Sequence, residues 1–335
     1  MLKKPAYPIK ESLYAYLKDF GRINKLPLGY DFLLSFTQTI PVYNQKGEDT
    51  LWESVFYEPS LTPEINDGLK LIYALLKSDG KVQNISHLSI DKIDYCTFGN
   101  SKPFRIKIIN NINDNYDYFY VKKADASRVF GLELEEILSP NRVNFIVHKN
   151  TLIEEHIVGI PGDQFIENNF QEYGHNEVRL AKEFVKFNER CYRRLLGDMR
   201  AYNFIIDVTP DFDKIQYRIR AIDFDQQCYE SRRSFYLPHY FKENQAYVDM
   251  GIKYLSQESV EQYTKEERSF MIRRIHADKK KLAELLSSMK QHTLSKPEYI
   301  TALRDEIYRK EKIKTLSKAQ NMGEIVEALL MDMAG

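Results

Sequence analysis

The sequence LGDMRAYN, residues 196–203, followed by AIDFD, residues 221–225, carries the strongest indication of the fold. Asp198 and Asn203 lie close together in the first stretch, and Asp223 ends an apolar run in the second. Phosphoryl transfer needs one carboxylate that orients an attacking hydroxyl. It also needs an amide and a second carboxylate that hold Mg²⁺ against nucleotide phosphates. The residue types and their order therefore predict a magnesium- and nucleotide-dependent site.

The composition allows a protein with two lobes and excludes several partner classes. The chain has 335 residues, and 43% of them are hydrophobic, which is enough for two cores. Basic and acidic residues both number 48, so we expect neither nucleic acid nor a membrane as a partner. The three cysteines lie far apart, which argues against a zinc module and a disulfide framework. With no signal-peptide pattern at the start, we expect a reduced, cytoplasmic protein.

The hydrophobic pattern divides the chain into three regions. Residues 1–90 are predicted to be a helical extension, in which Thr62-Pro63 begins one helix. Residues 91–162 show an order of strand, strand, helix, strand, strand, which predicts an antiparallel sheet with one helix; the segments are 103–109, 117–123, 127–138, 143–148 and 151–158. Residues 163–335 are predicted to be mostly helical.

In this last region a long amphipathic helix, residues 176–196, leads directly into the Asp198 loop. Two strands follow, residues 203–208 and 216–223, and a turn joins them. The second strand delivers Asp223. We therefore expect the helix to present Asp198 and the hairpin to present the metal-binding carboxylate.

These motifs resemble those of the protein-kinase-like superfamily over roughly residues 91–240. DMRAYN, residues 198–203, resembles the D-L-R-A-A-N of tyrosine kinases. Gly197-Asp198 and the IDFD of residues 222–225 resemble the H-G-D and I-D-F-E of aminoglycoside and choline kinases, although Leu196 replaces the histidine. The resemblance implies an α+β, two-lobed kinase-like fold, ATP and Mg²⁺ as cofactors, and a hydroxyl-bearing acceptor. The small-molecule branch and the protein-kinase branch both stay open, and the acceptor is not indicated.

The resemblance also implies a role for each residue of the two motifs. Asp198 would position and deprotonate the acceptor hydroxyl, and Arg200 would lie near the transferred phosphate. Asn203 and Asp223 would hold Mg²⁺, and Asp225, in the place of the D-F-G glycine, would supply a further oxygen.

The nucleotide-binding residues are predicted from the region of the sheet. Lys122 has apolar neighbours at minus one and minus three, as in the kinase pattern V-A-I-K, and is preferred to Lys123 as the phosphate-binding lysine. Glu133 flanks the apolar stripe of the following helix and is predicted to pair with Lys122, whereas Glu135 is predicted to point away. The loop CTFGNS, residues 96–101, has Gly99 as its only glycine and is the candidate phosphate loop.

Two other functions remain open at this point. A pseudokinase would bind nucleotide or act as a scaffold without turnover; the single glycine of the candidate phosphate loop favours this alternative. A glycosyltransferase or nucleotidyltransferase could use Asp223-x-Asp225 as a D-x-D metal motif, but this leaves Asp198 and Asn203 unexplained.

Overall fold

The computed structural model describes residues 4–44, 46–77, 85–169, 176–211 and 214–333. The chain forms two compact units. The first unit comprises residues 1–126 and 143–156, and the second comprises residues 127–142 and 157–335. The fold is α+β, with a seven-stranded antiparallel sheet in the first unit and mostly helices in the second. Within the described ranges, no helix has both the length and the apolar character needed to cross a bilayer.

The first unit is built around its sheet. The helices are α1 Glu11–Asp19, α2 Tyr30–Leu33 and α3 Thr62–Lys77, and the strands are β1 Gln38–Tyr43, β2 Asp49–Phe56, β3 Leu88–Cys96, β4 Phe104–Asn110, β5 Asn115–Lys123, β6 Phe145–His148 and β7 Thr151–Glu155. The strand order in the sheet is β1-β2-β3-β4-β5-β7-β6. In the register, Val121 of β5 lies opposite Phe104 of β4 and Ile153 of β7. These three side chains are buried, as the two-residue period of a strand requires.

Helix α3 covers the apolar face of this sheet. Its buried residues Ile65, Leu69, Ile72 and Leu76 recur at helical spacing and join the core cluster of the sheet. Each such side chain stabilises the fold by roughly 1.5–3 kcal/mol when it is fully buried. The helix predicted to begin at Thr62-Pro63 is therefore present and forms part of the core.

Residues 1–90, predicted to be a mainly helical extension, also contain strands at residues 38–56. Strands β1 and β2 form an antiparallel hairpin there, and β2 also pairs with β3. The side chains of this hairpin are mostly exposed or half-buried, and Val55 is the buried one. Because few of its side chains enter the core, the hairpin lacks the alternation of apolar and polar residues that identifies a strand in sequence.

The second unit contains the two motifs. Its helices are α4 Ala126–Leu138, α5 Gly162–Gln164, α6 Glu177–Arg193, α7 Gln245–Tyr254, α8 Gln257–Ala277, α9 Lys279–Lys290, α10 Pro297–Glu311 and α11 Met322–Asp332, and its strands are β8 Ile160–Pro161, β9 Phe204–Asp211 and β10 Lys214–Ala221. A π-helical turn spans Phe165–Asn169, and short 3₁₀ helices span Ala201–Asn203, Arg233–Tyr236, Pro238–Tyr240, Lys242–Asn244 and Lys314–Lys318. Strands β8, β9 and β10 form a small sheet in the order β10-β9-β8.

Helix α6 is the predicted long helix, and it packs through aromatic side chains. Phe184 stacks on Tyr247 of α7 with ring centroids 5.1 Å apart, and Phe187 lies edge-on to Phe204 of β9 at 5.2 Å. Because these contacts fix α6 against β9, the loop between them has both ends anchored.

Helix α4, which the sequence pattern groups with the sheet, belongs to the second unit from Ser127 onward. It is buried on nearly all sides. The prediction that Glu135 points away from the core is wrong: Glu135 is buried and forms an ion pair with the buried Arg194. An apolar stripe cannot identify an exposed side on a helix that is surrounded by protein.

Candidate functional site

The loop after α6 holds Asp198 in an unusual backbone conformation. Asp198 has φ +58°, in the left-handed region that non-glycine residues rarely adopt. Its backbone N–H donates to the carbonyl of Phe235 (3.1 Å), and its own carbonyl accepts from Nδ2 of Asn203 (2.7 Å). Asp198 and Asn203, which the sequence predicts to act together, therefore contact each other directly.

The hairpin β9–β10 brings the second motif to the same loop. Phe204 pairs with Ala221 at the end of the hairpin, and the N–H of Ile222 donates to the carbonyl of Asn203 (3.1 Å). Asp223 is the next residue after Ile222. The backbone pairing therefore places Asp223 beside Asn203.

A buried arginine binds the two aspartates of the second motif. Nη1 of Arg128, on α4, lies 2.9 Å from Oδ1 of Asp223 and 2.8 Å from Oδ1 of Asp225. The backbone N–H of Asp225 also donates to Oδ1 of Asp223 (2.9 Å). Arg128 is 2% exposed. A cation so buried is normally paired with carboxylates, and here it holds both carboxylates in fixed positions.

The carboxyl group of Asp198 has a raised pKa. Burial raises the pKa of its carboxyl from 3.8 to about 6; nearby Arg200 opposes this shift, while Asp223 and Glu230 add to it. Oδ1 of Asp198 lies 2.9 Å from Nε of Arg200, yet neither atom has an aligned hydrogen-bond partner among the described residues. The carboxylate is thus close to a cation and not fully stabilised by it.

Arg200 is held at the edge of the loop. Its guanidinium lies 3.5 Å from Oε1 of Glu243 and 5.3 Å from the ring centre of Phe241. About a quarter of its side chain is exposed. Arg200 can therefore contact a bound anion without leaving its partners.

The donor chemistry of this site fits Mg²⁺. Because Nδ2 of Asn203 donates to the backbone, Oδ1 is the atom that remains for a metal, and Asp223 and Asp225 add carboxylate oxygens. The described residues contain no group of three or more His, Cys, Asp or Glu side chains that could hold a metal. Mg²⁺ in phosphoryl-transfer sites is bound by one or two carboxylates together with phosphates and water, so a complete protein cage is not required. The charge of Arg128 beside both carboxylates opposes cation binding there.

The predicted nucleotide-binding residues lie in different units. In the first unit, Lys122 is buried at the end of β5, with Nζ 2.6 Å from Oε2 of Glu154. In the second unit, Glu133 is buried and lies 3.0 Å from Nζ of Lys281. The ion pair of Lys122 with Glu133 stays a prediction.

Gly99 lies in the loop between β3 and β4, in the first unit. Its φ is +95°, a conformation that favours glycine, so the position needs glycine for its backbone. A phosphate-binding role for this loop also stays a prediction.

Arg128 is the site residue that the sequence reasoning missed. The signal was a single arginine in the otherwise apolar start of α4, between Ser127 and the Val129-Phe130 pair. A charge in an apolar helix must find a buried partner, but nothing in the sequence indicates that the partners are Asp223 and Asp225.

No protein-family model matches this chain, and no curated protein matches it by sequence. Its function is therefore inferred from the residues of the site.

Proposed function

We propose that this protein is an ATP- and Mg²⁺-dependent phosphotransferase that transfers a phosphoryl group to an alcohol of a small molecule or a protein. One observation carries the proposal: Asn203 binds the backbone of Asp198 through its side chain and the backbone of Ile222 through its carbonyl. These contacts bring the carboxyl of Asp198, the amide of Asn203 and the start of the Asp223 segment to one place at the base of the β9–β10 hairpin. Phosphoryl transfer uses this set.

The pKa of Asp198 suits the role of a base. At about 6, it lies below neutral pH, so the carboxylate is mostly ionised, but it is more basic than an ordinary aspartate. A general base works best when its pKa is near the working pH. Asp198 can therefore accept a hydrogen bond from the acceptor hydroxyl and take its proton as the bond from the acceptor oxygen to the γ-phosphorus of ATP forms and the bond from that phosphorus to the oxygen of the leaving ADP breaks.

Asn203, Asp223 and Asp225 would hold the metal, which when bound neutralises charge on the nucleotide phosphates. Arg200 adds a partly exposed cation at the edge of the site. Its guanidinium has partners that leave part of it exposed, so it can bind an oxygen of the transferred phosphoryl group.

Two charge-removing variants test this assignment. Asp198→Asn should keep the magnesium-dependent thermal shift with ATP, because it removes a base and no metal ligand. Turnover, measured as ATP hydrolysis or autophosphorylation, should fall by about 10²–10⁴-fold. Asp223→Asn should reduce both the thermal shift and turnover. Asp305→Asn, at an exposed position on α10, is the matched control and should change neither. A wild-type protein that shows no thermal shift with Mg²⁺ and ATP would contradict the proposal.

Arg128 favours a second candidate function, a pseudokinase that binds nucleotide or a partner without turnover. The charge of Arg128 already neutralises part of the negative charge of Asp223 and Asp225, which weakens the attraction of these carboxylates for Mg²⁺. Under this alternative, the wild type binds ATP but has no turnover for Asp198→Asn to reduce, with alcohols of several classes tested as acceptors.

A further inference from the structure

A polar cavity of about 340 Å³ lies in the second unit, and none of its wall residues belongs to the site described above. Its walls come from α6, β9, β10, α8 and Pro140, which lies two residues past the end of α4. Six of the wall residues are charged: Lys186, Arg190, Arg218, Arg274, Glu183 and Glu267. Positive charges thus outnumber negative charges in a space large enough for a small organic molecule.

Two of these residues, both arginines, form no direct ion pair with a described residue. Lys186 pairs with Glu266 at 3.1 Å, and Arg190 pairs with Glu267 at 3.1 Å. Arg190 is buried, so the second of these pairs is a fixed part of the wall. Arg218 and Arg274 have no side-chain hydrogen bond or ion pair to any residue that the structure describes.

The electrostatic environment of Arg274 also contains more positive than negative charge. Burial lowers the pKa of its guanidinium; Glu267 opposes the shift, and the charges of Arg190, Arg273 and Arg218 add to it. Several like charges close together are destabilising unless an anion lies among them. Glu183, whose pKa burial raises, is the one wall carboxylate without a direct partner in the described ranges.

We propose that this cavity binds a small phosphate monoester, with Arg218 and Arg274 as its phosphate contacts. Two guanidinium groups can bind a phosphate dianion through several charge-assisted hydrogen bonds. Tyr217 and Phe270 also line the cavity and supply an apolar surface for the organic part of the ligand. This apolar wall is the reason to expect an ester rather than inorganic phosphate.

Isothermal titration calorimetry at low salt tests this proposal with two probes, ribose 5-phosphate and inorganic phosphate. The wild type should bind ribose 5-phosphate with a Kd below 10 mM and more tightly than inorganic phosphate. The double variant Arg218→Gln/Arg274→Gln should weaken binding at least about 10-fold, because it removes charge-assisted hydrogen bonds. Lys280→Gln is the matched control, since Lys280 is an exposed cation on α9, and its binding should equal that of the wild type.

Glu183→Gln provides a test in the opposite direction that does not depend on the stability of the arginine variants. Because it removes a carboxylate that repels the anion, it should tighten binding several-fold. Any one of four results would overturn the proposal: a wild type that binds neither probe below 10 mM, equal or tighter binding of inorganic phosphate, a double variant that binds like the wild type, or a Lys280→Gln variant that weakens binding as much as the double variant does. Weaker binding by Glu183→Gln would also overturn it.

Discussion

Replacing Asp198 by asparagine should make the folded protein more stable at pH 8, although it removes the proposed base. The pKa of this carboxyl is about 6 in the folded protein, whereas the ordinary value for aspartate is 3.8. Between these values the folded protein holds the proton that the unfolded chain has lost, so stability falls as pH rises through this window. Above about pH 6 the full cost of the buried, ionised carboxylate is present.

The size of the effect follows from this shift. A difference of roughly 2 units corresponds to about 3 kcal/mol. Since a fifth of the side chain is exposed, solvent screening reduces this figure, and we expect about 2 kcal/mol. Asparagine resembles the protonated aspartate in shape and also tolerates the left-handed backbone at this position. The substitution should therefore gain most of this free energy at pH 8.

Urea unfolding of the wild type and Asp198→Asn at intervals between pH 4 and pH 8 measures the effect. The difference in the free energy of unfolding should be near zero at pH 4 and rise to about 2 kcal/mol above pH 6, which for a chain of this length is roughly 3 °C in Tm. The exposed Asp305→Asn should differ from the wild type by less than about 0.5 kcal/mol throughout. An Asp198→Asn protein that is no more stable than the wild type at pH 8 would refute the reasoning.

The other predictions concern lysine and arginine residues of the two units. Lys122→Ala should reduce the ATP-dependent thermal shift more than Lys123→Ala does, because Lys122 is buried at the end of β5 whereas Lys123 is exposed; the reverse result would transfer the role to Lys123. Arg128→Gln should lower Tm without metal and increase the stabilisation by Mg²⁺ alone, because Asp223 and Asp225 lose their buried cation. An unchanged response of Tm to Mg²⁺ would show that Arg128 does not compete with the metal.

The parts of the fold that the sequence predicts well are those with a clear period. Residues 117–123 alternate between apolar and polar positions, and the structure has β5 at Asn115–Lys123 with Phe119 and Val121 buried. Residues 176–196 have a helical period, and the structure has α6 at Glu177–Arg193. The apolar residues of both elements enter a core at the expected spacing, although Lys122 and the polar residues at the end of α6 are buried as well.

The parts that sequence could not predict are those whose burial has no such pattern. The hairpin β1–β2 is held by backbone pairing, and most of its side chains stay outside the core. Helix α4 is surrounded by protein, so its polar residues are buried beside its apolar ones. Their partners, such as Arg194 for Glu135, lie far away in the sequence and are known only from the fold.

In the second unit, the charged residues of the proposed site differ from those of the structural core. Several buried charges elsewhere in the described part of this unit lie in direct ion pairs, such as Arg193 with Glu189 at 2.6 Å and Arg190 with Glu267 at 3.1 Å. Asp198 differs in three ways: a left-handed backbone, a raised pKa, and an ion pair whose atoms are not aligned as a hydrogen bond. Each of these features costs stability. Such local costs concentrate where a protein must hold a reactive group ready, which supports the proposal that Asp198 acts as a base.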